Sequence, residues 1–283
     1  MRVVVARSID AALAALASAT EASRILAGGT DLCVEFESGR TRPDLVVEVG
    51  RVAELRFVRE TQAGLEIGAG STCADLLRSA PVARGADLLA LAAREVGAVQ
   101  IQNRATLGGN LVTASPAADL VPALFALGAR VRLASLAGRR ELLVEEFVTG
   151  YRATARRPDE LVESVVIPPR PAGEHRAFHK VGTRRAQSIS KVVVALALGP
   201  RGAGARIAAG SVAERTLRLA TLEAALARGL ARERLAQAVA HAVALDTRPR
   251  DDVRSTARYR RAVLERVLVR VLGPWLEPEG NAA

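Results

Sequence analysis

The chain has 283 residues, 49% of them hydrophobic, enough to bury a sizeable core and to divide into two domains. Its formal net charge is +10, yet the arginines are scattered and aromatic residues that would stack on bases make up only 3%. No zinc or RNA-recognition signature occurs, so nucleic-acid binding is not expected.

Met1-Arg2 and the Ala/Leu-rich stretch after it mimic a signal peptide, but Arg7 and Asp10 interrupt the run, and Ser8 is placed to cap a helix over 9–19. No apolar run reaches the roughly 18 residues of a membrane span, and a cytoplasmic protein is expected. Strands follow over 24–26 and 45–49, the second punctuated by Pro43 and Gly50, which completes a small α/β lobe over 1–52. A second α/β lobe is expected over 53–172. It holds strands over 55–58 and 65–69, helices over 73–77, 87–95 and 120–127, and strands over 130–133 and 161–167. The segment Pro168-Pro169-Arg170-Pro171-Ala172-Gly173 resists helix and strand alike and marks a domain boundary. Beyond it, strands over 176–181, 191–198 and 204–211 make a small antiparallel sheet. Helices over 216–228, 232–245 and 256–272 complete an α+β C-terminal domain, and the whole chain is classed as α+β.

Cys33 and Cys73 have no CxxC partner and no histidine nearby, so this chain alone builds neither a zinc site nor a cysteine-ligated cluster. Both thiols are expected as small buried hydrophobes in a reducing compartment, and no metal site is expected. His175, His179 and His241 are isolated in sequence and read as structural or solvated, so no catalytic residue is assigned.

Two segments point to a ligand. Arg24-Ile25-Leu26-Ala27-Gly28-Gly29-Thr30-Asp31-Leu32 runs from a strand into a Gly-Gly-Thr-Asp turn. Ala105-Thr106-Leu107-Gly108-Gly109-Asn110-Leu111-Val112-Thr113 leads on to Asp119. Glycine lacks Cβ, so backbone N–H groups can approach phosphate oxygens, while the hydroxyls and amide beside it can bond a sugar-like chain. Either segment alone is ordinary turn chemistry; two in one chain point to binding loops. Neither is a Rossmann fingerprint or a P-loop, so a nucleotide would be held by another architecture.

The pair AGGTDL (27–32) and NRATLGGNLVTASPAADL (103–120) resembles the two flavin-pyrophosphate loops of the FAD-binding subunit of molybdenum hydroxylases. That family includes xanthine dehydrogenases and carbon monoxide dehydrogenases. Further matches follow in order: Asp159-Glu160-Leu161-Val162, then Ala177-Phe178-His179-Lys180-Val181-Gly182-Thr183-Arg184-Arg185, and Asp251-Asp252-Val253-Arg254-Ser255-Thr256 before the last helix.

The resemblance spans essentially the whole chain. It implies a two-lobed FAD-binding domain of the vanillyl-alcohol-oxidase-like (PCMH) type over 1–172 and a carbon-monoxide-dehydrogenase-flavoprotein-like domain over 173–283. By the same resemblance FAD is held by Arg24, Ile25, Leu26, Ala27, Gly28, Gly29, Thr30, Asp31 and Leu32, with backbone amides of 27–31 on the pyrophosphate. Ala105, Thr106, Gly109, Asn110, Val112 and Thr113 contribute the second loop, Val96 and Gly97 just upstream match positions that touch the cofactor, and Asp119 bonds the sugar-like chain or nearby hydroxyls. Leu161 or Val162 packs on the isoalloxazine, and Lys180 reaches the flavin ring, where a cation stabilises reduced flavin without proton transfer. Without the resemblance Lys180 is equally a solvated strand-edge lysine. Ala118 departs from the family, whose members often carry a hydroxyl there.

The implied partners are a molybdenum-cofactor subunit and a subunit with 2Fe–2S clusters, in a dimer of heterotrimers. The implied acceptor is NAD, a quinone or oxygen. Phe147-Val148-Thr149-Gly150-Tyr151-Arg152 leans toward xanthine-dehydrogenase-like members. The alternatives are a self-contained FAD oxidoreductase, which needs a larger substrate domain and an acid–base residue at the flavin, and a scaffold subunit without flavin.

Overall fold

The computed structural model describes residues 1–276; the end of the expected C-terminal domain, 277–283, lies outside the described residues. Strand β1 (Arg2–Val5) precedes helix α1 (Ile9–Leu16), which Ser8 caps by accepting from the Ala11 amide at 3.1 Å. Strand β2 (Arg24–Leu26), helix α2 (Leu32–Glu37) and strand β3 (Leu45–Glu48) follow. The three strands pair in parallel in the order β1-β3-β2. Leu13 and Leu16 of α1 pack with Leu45, Val47 and Val49 to form the first lobe's core. Parallel pairing places the first glycine loop at the carboxyl edge of this sheet, where open α/β sheets hold ligands.

The second lobe begins with β4 (Val58–Thr61) and β5 (Gly64–Gly68). Helices α3 (Cys73–Arg78), α4 (Ala80–Gly85), α5 (Asp87–Arg94), α6 (Val99–Gln102), α7 (Leu107–Thr113) and α8 (Leu120–Ala126) come next. After them run β6 (Arg130–Ser135), β7 (Gly138–Leu143), α9 (Val144–Phe147), β8 (Val148–Gly150), β9 (Ala153–Thr154) and β10 (Leu161–Ile167). Strands β4-β5-β10-β6-β7 form one sheet, antiparallel throughout, so parallel order is confined to the first lobe. On one face Ile67 and Val165 pack with Leu107 and Leu124 in the largest core. On the other, Ala134 and Leu161 join the first lobe's core, so the two lobes share this sheet.

The C-terminal part pairs β11 (His175–Val181), β12 (Val192–Leu198), β13 (Arg206–Gly210) and β14 (Leu217–Arg218) in that order, all antiparallel. Helices α10 (Ala220–Ala227), α11 (Leu235–Asp246) and α12 (Ala257–Leu272) cover it. Every residue of β12 is buried, and from Val194 to Leu198 large and small residues alternate. Val192, Val194, Leu196 and Leu198 enter the core built by α10, α11 and α12, whereas Ala195, with Ala208 of β13, joins the main core. The small side chains let α8, buried on every side, press against the sheet and act as a shared wall between the two parts. Among the described residues no helix is long and apolar enough to cross a membrane. Cys73 is buried, but Cys33 is exposed, contrary to expectation, because no residue of α2 is buried.

Candidate functional site

The two glycine segments, far apart in sequence, touch in space. A Cβ on Gly28 would stand 1.9 Å from the Arg104 carbonyl oxygen, and Arg104 Nε donates to the Gly28 carbonyl at 3.2 Å. Gly29 is left-handed, at φ +75°, which lets the chain turn from β2 into α2. Residues 24–30 are all half-buried. Among the described residues no acceptor takes the amides of Gly28, Gly29, Thr30 or Asp31. Consecutive free amides in a turn suit an anion such as a diphosphate.

The second segment is built differently. It is not a loop throughout: Thr106 caps α7 by accepting from the Gly109 amide at 3.1 Å. The Leu107 amide donates to Ser71 O at 2.9 Å, that of Gly108 to Ala69 O at 2.8 Å and that of Asn110 to Thr106 O at 3.0 Å. These amides are spent inside the chain, and Gly108 is glycine because a Cβ there would lie 2.7 Å from Ala69 Cβ. What α7 offers a ligand is its open face. Gly109, Asn110, Val112 and Thr113 are half-buried, with helical spacing aligning positions 109, 112 and 113. Asn110 Oδ1 is buried without a partner, a costly state that a hydroxyl donor relieves. Ala105 and Ala118 are buried in the main core, and Thr106 is buried at the cap.

Lys180 is not a solvated lysine. Alternate residues of a strand share a face, so Arg176, Phe178 and Lys180 of β11 line up along α5. Arg176 Nη1 donates to Gly85 O and Asp87 Oδ1, both at 2.9 Å, and Phe178 packs on the main core. Lys180 Nζ donates to Glu95 O at 2.8 Å and Asp119 Oδ2 at 2.7 Å, with only 5% of the side chain exposed. Val96 and left-handed Gly97 (φ +52°) continue from Glu95, so that turn meets Asp119 and Lys180 in one cluster. Burial pushes the Asp119 carboxyl up to about 6, with Lys180 opposing and Glu95 adding to the rise. Burial, then the Asp119 charge, pushes the neighbouring Cys73 thiol up to about 12. Asp119 Oδ1 is buried and unpartnered.

The raised Asp119 pKa has a stability consequence. A carboxyl whose pKa is higher in the folded than in the unfolded chain stabilises fully below pH ~4, and that contribution is lost as pH rises through about 6. Relative to Asp119→Asn, the cofactor-free wild type is expected to lose about 2 kcal/mol between pH 4 and 7. Urea unfolding at a series of pH values reads this directly; a difference independent of pH would contradict it.

Some expected contacts lie elsewhere. Successive residues of β10 face opposite sides, so Leu161 is buried in the first lobe's core and Val162 in the main core. Arg24 Nη1 donates to Glu21 O and Ser23 O and braces the start of β2, while Ile25 and Ala27 lean on the first lobe's core. Leu26 and Leu32 are half-buried flanks. A cleft of about 570 Å³ opens elsewhere, lined by none of the loop residues. Its arginines are matched, for example Arg139 to Glu163 at 2.8 Å and Arg59 to Glu66 at 2.8 Å, so it offers no free charge to an anion.

Arg152 stands at the site without any local sequence signal for that role. Its Nη2 donates to Asp31 Oδ2 at 2.5 Å and also to Glu35 Oε1, and its amide donates to Ala114 O at 3.2 Å.

Residues 1–170 match the family model of the FAD binding domain in molybdopterin dehydrogenase, and residues 176–274 that of the CO dehydrogenase flavoprotein C-terminal domain. The chain is 30% identical to the 6-hydroxypseudooxynicotine dehydrogenase complex subunit alpha of Paenarthrobacter nicotinovorans, covering 95% of this chain and 92% of that one. It is 26% identical to the xanthine dehydrogenase FAD-binding subunit of Escherichia coli O157:H7, covering 92% and 90%. A solved carbon monoxide dehydrogenase from Hydrogenophaga pseudoflava superposes with a TM-score of 0.90 at 27% identity, covering 97% of each chain.

Proposed function

This chain belongs to the family of FAD-binding subunits of molybdenum hydroxylases, and we propose that it is the electron-transfer module of a xanthine-dehydrogenase-like complex. Partner subunits would hold the molybdenum cofactor and the 2Fe–2S clusters, in a dimer of heterotrimers in the cytoplasm. Electrons from those clusters would leave through this chain to NAD, a quinone or oxygen. The observation that carries the reading is the row of free amides from Gly28 to Asp31, set against the second glycine segment.

FAD, when bound, supplies the capacity to take up and release electrons singly or in pairs. The amides of Gly28, Gly29, Thr30 and Asp31 would hold its diphosphate, with Ala105, Thr106, Gly109 and Val112 as walls. Asn110 Oδ1 and Asp119 Oδ1, both lacking partners, would accept from hydroxyls of the sugar-like chain, beside Thr113. Asp119 can do so while Oδ2 stays on Lys180. Lys180, fixed by Glu95 O and Asp119 next to Val96 and Gly97, would present positive charge to the ring. None of these roles requires a side chain to transfer a proton.

The absorption spectrum of the purified chain, alone, with added FAD and with co-expressed partner subunits, tests the reading. Flavin bands and FAD on chromatography of the released cofactor are expected. No flavin in any of the three preparations would overturn it.

A further inference from the structure

One residue joins the two glycine segments at the end opposite the Gly28–Arg104 contact. The Arg152 amide donates to Ala114 O at 3.2 Å, which fixes the end of α7. Its guanidinium reaches across to Asp31 at 2.5 Å, within the first loop, and to Glu35 of α2. Asp31 stands at the N-cap of α2 but makes no capping bond there; its carboxylate is held by Arg152 instead. Both Arg152 (φ +51°) and Ala114 (φ +44°) are left-handed without being glycine. Such conformations are strained and persist where surrounding contacts over-determine them, often at ligand clamps.

The charges make this more than a brace. Two carboxylates flank the free amides of Gly28 to Asp31, and left unpaired they would repel a diphosphate arriving there. We propose that Arg152 is the clasp of the FAD slot: it neutralises Asp31 and Glu35 so that the diphosphate can approach the first loop, while its backbone fixes the end of the second. It is a positioning residue, acting through the two carboxylates. The inference rests on the assignment of the FAD diphosphate to the first loop.

The test is FAD titration by flavin fluorescence on the full chain, with its partner subunits present if uptake requires them. The proteins are wild type, Arg152→Gln, and the triple variant Arg152→Gln/Asp31→Asn/Glu35→Gln, with thermal melts confirming that each folds. Arg152→Gln is expected to weaken FAD at least about tenfold at low ionic strength, and the loss is expected to shrink at high salt. The triple variant, lacking the repelling charges, is expected to return to within about threefold of wild type. Wild-type affinity in Arg152→Gln, or a triple variant as weak as Arg152→Gln, would overturn the clasp while leaving FAD binding intact. Should the triple variant fail to fold, salt decides: a loss unchanged between low and high ionic strength overturns the clasp. A wild type that takes up no FAD even with its partners overturns both the clasp and the site assignment.

Discussion

Gly28→Ala is expected to abolish FAD retention and to destabilise the chain at the same time. The added Cβ would stand 1.9 Å from the Arg104 carbonyl oxygen and 3.3 Å from the Ala105 Cα, all backbone atoms that no rotamer change can move aside. The two glycine segments must then part, which separates the free amides of 28–31 from α7. Overpacking of this kind costs about 1–3 kcal/mol or more, and each kcal/mol lowers the melting temperature by roughly 2–4 °C. Gly109→Val provides the contrast. Its Cβ would meet only Thr106 Oγ1, at 2.8 Å, and the rest of the side chain would project over the open face of α7. Displacing Thr106 Oγ1 loosens the α7 cap, so the variant is expected to fold with a loss of about 1 kcal/mol, yet purify without FAD. Flavin content and melting temperature of the two variants check this together. A Gly28→Ala chain that stays yellow would mean that the two segments do not meet at the cofactor, and a yellow Gly109→Val would remove the α7 face from the site.

The parts legible in the sequence are those fixed by neighbours in the chain. Ser8 announces its helix, the Pro-rich run at 168–173 lies between β10 and β11, and β2 leads into the first glycine loop where its pattern says it should. Helix α7 was less legible, although its signal exists: Thr106 stands three residues before Gly109, with Leu107 and Leu111 at helical spacing. A Gly-Gly pair inside a seven-residue helix masks that pattern, because glycine disfavours helix interiors by about 1 kcal/mol. The antiparallel order of the second lobe was not legible, since Val165 pairs with Ile67 across most of that lobe and nothing local encodes the partner. The same holds for burial of Leu161 and Val162, which depends on two cores meeting at β10. Arg152 belongs to this class too: its carboxylate partners lie 121 and 117 residues away. A charged residue in a turn has no pattern by which to name a distant partner.

Lys180→Met is expected to keep FAD but make its two-electron potential more negative, by about 30 mV for each 1.4 kcal/mol of lost stabilisation of the reduced form. The buried pairing sharpens what this measurement means. Lys180 is bound to a carboxylate whose own pKa is raised to about 6 by burial, and the lysine is the main influence holding that value down. Removing the ammonium leaves Asp119 buried beside Glu95 with no counter-charge, so the carboxyl is expected to take up a proton at neutral pH. Breaking a buried pair from one side typically costs about 3–5 kcal/mol, so a lower melting temperature is expected whether or not the lysine faces the flavin. Stability therefore does not test the role, and the potential does. Lys180→Met/Asp119→Asn supplies the control, since it removes the charge of both partners and leaves no orphaned carboxylate. If Lys180 presents its charge to the ring, both variants shift the potential in the negative direction and the double variant recovers part of the lost stability. If the charge serves only to join β11 to the ends of α5 and α8, the melting temperature falls in the single variant, recovers in the double, and the potential stays at the wild-type value in both.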